Sequence, residues 1–123
     1  MKMNWKRYKR LTVARSEFSD KSCVYVQTDS SGNPIRVGMA RKGLNVRYRG
    51  GTGYAIDAAM HESGNLVFVA AVSPQLCAKV EAELIWAGRE VLEYCIQGKR
   101  VPPRRRVKIQ HRGDHPNFSS FSH

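Results

Sequence analysis

A chain of 123 residues with 41% hydrophobic and 25% charged side chains has the size and composition of one globular domain able to bury a core. No apolar run reaches the ~20 residues of a membrane span. MKMNWKRYKR is basic but has no apolar stretch behind it, so neither a membrane partner nor a secretory leader is expected. Lys and Arg number 21 against 10 Asp and Glu, a formal charge of +11 and a pI near 10.1. Residues 1–10 hold five basic side chains and no acid, residues 98–123 hold seven and one, and residues 11–97 hold nine of each. This distribution predicts a balanced domain over 22–97 between a basic N-terminal arm, 1–21, and a basic C-terminal tail, 98–123. Such a layout suits a polyanion partner, or simply a solubilising tail.

In chain order, residues 1–21 read as polar, with weak helical or irregular character. Cys23-Val24-Tyr25-Val26-Gln27-Thr28 is β-branched and aromatic and predicts a strand. Asp29-Ser30-Ser31-Gly32-Asn33-Pro34 is dense in turn formers, and Ile35-Arg36-Val37-Gly38 is the returning strand of a hairpin. A short basic helix over 39–49 is expected to stop at Gly50-Gly51, and a second helix, capped by Thr52, to end near Ser63-Gly64. The apolar run Leu66–Val72 suits a buried central strand. Ser73-Pro74 opens the longest helix, expected over roughly 75–96 with Gly98 closing it. The expected class is α+β: a three-stranded sheet (a hairpin plus a central strand) flanked by helices, in the order β-β-α-α-β-α, with basic arms at both ends.

Cys23, Cys77 and Cys95 are an odd count in apolar contexts, without metal-ligand spacing. Buried thiols in a reducing compartment are expected, cytoplasmic or nucleoid-associated. His111, Asp114 and His115 are close in sequence and read as solvated side chains.

At 100° per residue, Leu76, Val80, Leu84, Ala87, Val91 and Cys95 share one side of the long helix, widened by Cys77, Ile85, Gly88 and Leu92. Glu81 lies inside that stripe, while Glu83 and Glu90 lie beyond its edge, where water is expected. A carboxylate inside an apolar stripe must be neutralised, paired with a cation or bound to a metal. Periodicity does not choose between a structural ion pair and a functional site. Arg36, Arg41, Lys42, Arg47 and Arg49 put five cations into fourteen residues, either a solvated basic face or a guanidinium cluster for phosphate. Tyr25 alternates with Val24 and Val26, so it points to the opposite face of its strand, as a sheet tyrosine or as a phenol aimed at a site.

Taken together, these residues resemble the GIY-YIG nuclease family over roughly 22–96. Cys23-Val24-Tyr25 stands where the family has Gly-Ile-Tyr, and Arg36-Val37-Gly38 where it has Tyr-Ile-Gly. Leu44 with Arg47, and Glu81 followed by Leu84-Ile85, fit its helical motifs. The resemblance implies an endonuclease cutting phosphodiester bonds in DNA. Glu81 would hold one Mg²⁺ or Mn²⁺, Arg47 would bind the phosphate as charge develops, and Tyr25 would assist water activation. Arg36 replaces a tyrosine usual in the second triplet, and Gly51 stands where many relatives have Tyr or His. Tyr48, Tyr54 or His61 could replace that group. Arg41, Lys42, Arg49, Arg104, Arg105, Arg106 and Lys108 are the expected nucleic-acid contacts. For so small a chain, structure-directed cutting, or specificity built from the arms and a homodimer, is expected. The alternative is a noncatalytic basic module, on DNA or RNA, which the substitution at Arg36 favours.

Overall fold

The computed structural model describes residues 1–44, 65–92 and 102–121. In these residues the chain forms strands β1 (Lys2–Tyr8), β2 (Cys23–Thr28), β3 (Pro34–Ala40), β4 (Leu66–Ala71) and β5 (Gln110–Gly113), and helices α1 (Leu11–Glu17) and α2 (Pro74–Ala87). The α+β class expected from sequence holds. The sheet has five strands rather than three, in the order β3-β2-β4-β1-β5. The first four strands of that order pair antiparallel with their neighbours, and β5 joins β1 in parallel.

The expected hairpin forms around its turn chemistry. Asp29 accepts hydrogen bonds from the backbone N–H of Ser31 (2.9 Å) and of Asn33 (3.0 Å), and Gly32 supplies the positive φ of 86°. Those donors, the Asn33 amide first, hold the Asp29 carboxyl below the usual carboxylate range. The run Leu66–Ala71 becomes β4, in the middle of the sheet, as its continuous apolar character requires.

Side-chain alternation divides the core in two. Val24, Val26, Val37, Phe68 and Ala70 join Met3 and Trp5 on one face, against Cys77, Val80, Leu84 and Ile85 of α2. Cys23, Tyr25, Ala40, Val67 and Val69 face the other way with Tyr8, against Ala14 of α1, Phe18 and Leu44. Every residue of β2 is buried because both faces are covered.

Three sequence expectations change. Residues 1–21, expected as weakly helical or irregular, do hold a helix, α1, but they also hold the strand β1, which buries Met3 and Trp5 on the α2 face while Lys2, Asn4 and Lys6 stay exposed. The long helix ends at Ala87, not near 96, with Gly88 as C-cap donating to Leu84 O. A Cβ at Gly88 would stand 2.6 Å from Phe121 Cζ, so the C-terminal segment packs where a continuing helix would place a side chain. Ser73 and Pro74 do open this helix, though the Ser73 side chain makes no cap bond. Finally, residues 39–40 finish β3 and 41–42 form a turn, so the expected helix over 39–49 starts no earlier than Leu44. Its remainder, the second helix near 52–63, the Gly98 stop and Cys95 lie outside the described residues.

Residues 110–121 form a strap. Asp114 N–H donates to Trp5 O (3.2 Å), Phe118 and Phe121 sink into the α2-face core, and Asn117 N–H reaches Gly32 O (2.9 Å) in the hairpin turn. Beneath the other face, Tyr25 lies directly across from Gly38. A Cβ at Gly38 would sit 2.8 Å from Tyr25 Cε2, and closer still to Cζ. Because Tyr25 is fully buried, Gly38→Ala is expected to destabilise the fold by about 2 kcal/mol. In a Tyr25→Ala background that cost should shrink, as chemical denaturation of the four variants of the double-mutant cycle would show.

Candidate nucleic-acid interface

The acid that sequence periodicity places in water is the buried one. Glu83 is 7% exposed. Its carboxylate accepts Arg106 Nε at 2.9 and 3.0 Å, Arg106 Nη2 at 2.8 Å and the backbone N–H of Val107 at 2.8 Å. Glu83 occupies the edge of the α2 stripe, and the returning segment at 106–107 covers that edge, so the buried arc is wider than the sheet alone would make it. The hydrogen bonds that Arg106 donates to Glu83 push its guanidinium further up from its ordinary value. Arg106 is therefore engaged with Glu83 within the fold, while its side chain stays half-exposed. Arg104 and Arg105, beside it, are exposed, as are Arg41, Lys42 and Lys108; Glu90 is exposed as expected.

Glu81 is half-buried on α2 and has its own interaction, so it stands in neither bulk water nor the core. Tyr25 does face away from Val24 and Val26, as alternation predicts, but α2 packs on the Val24–Val26 face. The structure thus separates Tyr25 from the helix that carries Glu81 by the thickness of the sheet. Arg36 shares the Tyr25 face and donates from Nη1 to Gln27 Oε1 across the β2–β3 rung, at 3.4 Å. Gln27 is fully buried, and its Nε2 has no hydrogen-bond partner among the described residues. Arg47, Tyr48, Arg49, Tyr54 and His61 lie outside the described residues. Leu44, three residues before Arg47, is fixed on the Tyr25 face: its N–H donates to Phe18 O at 2.8 Å, and Gly43, at φ 101°, passes against Ser19.

Among the described residues no group of three or more His, Cys, Asp or Glu side chains comes together in a way that could hold a metal. Cys23 and Cys77 are free and buried, in line with the expected buried thiols. Burial, and then the neighbouring Cys77, push the Cys23 thiol up to about 12. No described helix is long and apolar enough to cross a membrane.

What sequence reading misses is a basic strip built by β1 and β5. Register pairs Lys2 with Gln110, Met3 with His111 and Asn4 with Arg112. Met3 and His111 turn toward the α2-face core, so Lys2, Asn4, Lys6, Gln110 and Arg112 share the opposite face, and all five are exposed. Alternate residues stand about 6.7 Å apart along each strand, and the strands lie about 4.8 Å apart. Two segments from opposite ends of the sequence therefore present one surface of amines, amides and a guanidinium. Glu17 approaches one end of it, 3.9 Å from Lys6, and also accepts the Tyr8 hydroxyl. Lys108 and Lys2 border the same small depression at the strand ends. The alternation of Met3 and Trp5 with polar residues is the one sequence signal for β1. QHRG, which contains no strong strand former, carries none for β5.

The clamp predicts an order of stabilities. Arg106→Ala should destabilise the fold clearly more than Arg104→Ala or Arg105→Ala, which should fall within about 0.5 kcal/mol of the parent. Replacing both clamp partners with leucine should recover most of the loss, because no charge is then left buried alone; urea denaturation would check the series.

No family model, no curated protein and no solved structure matches this chain.

Proposed function

We propose that this protein is a noncatalytic nucleic-acid-binding domain that holds the sugar–phosphate backbone on the β1–β5 strip. The observation that carries this reading is the parallel pairing of β1 with β5, which sets Lys2, Lys6 and Arg112 on one exposed sheet face. Amines and a guanidinium carried on paired strands lose less backbone freedom on binding than the same charges on a flexible tail. Asn4 and Gln110 add hydrogen-bonding groups between them. Described aromatic side chains of β1 and β5 (Trp5, Tyr8 and the His111 ring) are turned into packing contacts. The strip therefore offers phosphate contacts rather than base stacking, and binding is expected to be sequence-independent. Arg104, Arg105 and the overall charge of +11 would add long-range attraction.

Fluorescence anisotropy with labelled single-stranded DNA, duplex DNA and RNA, across a salt series, tests this reading. Binding should weaken steeply with salt. Lys2→Ala, Lys6→Ala and Arg112→Ala should each flatten the log–log slope by roughly 0.7–0.9. Equal behaviour of these variants and the parent would remove the strip from the interface.

A second reading is the metal-dependent endonuclease that the GIY-YIG resemblance implies. The observation favouring it is the Tyr25–Gly38 rung, with Leu44 packed on the same face. The placement of α2 on the other face weighs against a shared site for Tyr25 and Glu81. Among the described residues no second carboxylate joins Glu81 in a metal-binding group, a sparse set for a hard cation. Supercoiled plasmid nicking with Mg²⁺, Mn²⁺ or EDTA separates the readings. Nicking lost in Glu81→Ala and Arg47→Ala would establish the enzyme, and tight binding without nicking would favour the strip alone.

A further inference from the structure

The strap that carries β5 is anchored by a histidine. Trp5 Nε1–H donates to His111 Nδ1 at 2.9 Å. Nδ1 therefore bears no hydrogen, and the ring is the neutral Nε2–H tautomer. His111 also stacks on Phe118, with centroids 4.1 Å apart and planes 28° from parallel. Phe118 in turn contacts Phe121 and Trp5, at 4.9 and 5.8 Å. A single imidazole thus ties β1, β5 and the strap's aromatic anchors together, on the underside of the rung next to Arg112.

We propose that protonation of His111 releases the strap and so lowers the nucleic-acid affinity of the β1–β5 strip, making this domain a pH-sensitive binder; this rests on the functional reading above. A protonated ring carries N–H at both nitrogens, so Nδ1 would face the Trp5 N–H donor to donor and the bond would be lost. The stabilisation it supplies is present while the ring is neutral and is lost when the ring is protonated. Among the described residues, the titratable and charged groups that face His111 come from three elements. Glu83 of α2, with Arg106 and Lys108 of the segment before β5, lines the same cleft of about 380 Å³. His115 of the strap lies 6.1 Å away, ring to ring. Glu83 is paired with Arg106. A second imidazolium at His115 would repel a His111 cation. His115 Nδ1 lies 2.7 Å from Pro116 O, an acceptor that suits a donor in either protonation state, so His115 is not itself the trigger.

The coupling runs against simple electrostatics, and this is what makes it testable. Protonating histidines adds positive charge, which alone would tighten polyanion binding. The switch instead predicts weaker binding, because the loosened β5 no longer holds Arg112 and Gln110 in line with Lys2 and Lys6.

The test is a pH titration from about 7.5 to 5 of the parent, His111→Gln and His115→Asn. The Trp5 indole N–H resonance is followed by NMR without ligand, and anisotropy is measured with a labelled single-stranded DNA. In the parent, the indole resonance should move and exchange faster as pH falls, with unchanged far-UV circular dichroism and an affinity loss of about tenfold. A glutamine side chain in place of the imidazole would accept from Trp5 without titrating. His111→Gln should therefore abolish both changes, and His115→Asn should keep them. An indole resonance unchanged to pH 5, or one that titrates equally in His111→Gln, overturns the switch. An indole that titrates while affinity holds or rises overturns the coupling and leaves the binding reading intact. Absence of binding at pH 7.5 overturns the functional reading and the coupling with it, while the indole titration still reports on the strap.

Discussion

A carboxylate withdrawn from water must find a counter-charge and donors for its oxygens, and Glu83 finds both in residues 106 and 107. That requirement draws the chain back onto α2. Once Arg106 and Val107 are seated, the chain reaches Gln110 within one short step and runs on along β1. Phe118 and Phe121 then extend the core of the α2 face, and Phe121 takes the space beside Gly88. The helix stop, the fifth strand and the strap all involve the segment that this ion pair seats.

The same arrangement redistributes the charge. Seven basic side chains in residues 98–123 look uniform in sequence, yet those among the described residues do different work. Arg106 neutralises a buried acid, Arg112 stands on the sheet, and Arg104 and Arg105 remain in solvent. On the N-terminal side, Lys2 and Lys6 are ordered by the burial of Met3 and Trp5 between them. Positive charge becomes a surface because apolar neighbours fix the backbone that carries it. The His111 ring extends that logic, since its neutral form is part of the packing that aligns Arg112.

Much of the centre of the fold is legible in the sequence, because local chemistry and tertiary structure agree there. The hairpin follows from Asp29, Gly32 and Asn33, the middle strand from an unbroken apolar run, and the start of α2 from Ser73-Pro74. The opposed faces of Tyr25 and Val24 follow from strand alternation. The edges are not legible, for definite reasons. Gln110–Gly113 is a strand only because β1 is there to pair with it. The periodicity of α2 puts Glu83 beyond the stripe's edge, in water, because nothing local says that a segment more than twenty residues later covers that side. For the same reason the helix stripe singles out Glu81, whereas the buried ion pair belongs to Glu83. The candidate interface was hidden because its two halves lie about a hundred residues apart.

β1 and β5 form a ladder, and the Glu83 clamp should hold it in place. Site-resolved amide hydrogen exchange at neutral pH, on the parent and on Glu83→Ala, tests it most directly. The Gln110 and Asp114 amides, which donate to Met1 O and Trp5 O, should be protected in the parent. They should lose most of that protection in Glu83→Ala, while the β2 and β4 amides keep theirs. Exchange of those two amides at unprotected rates in the parent, or protection indifferent to Glu83, would contradict a clamped ladder.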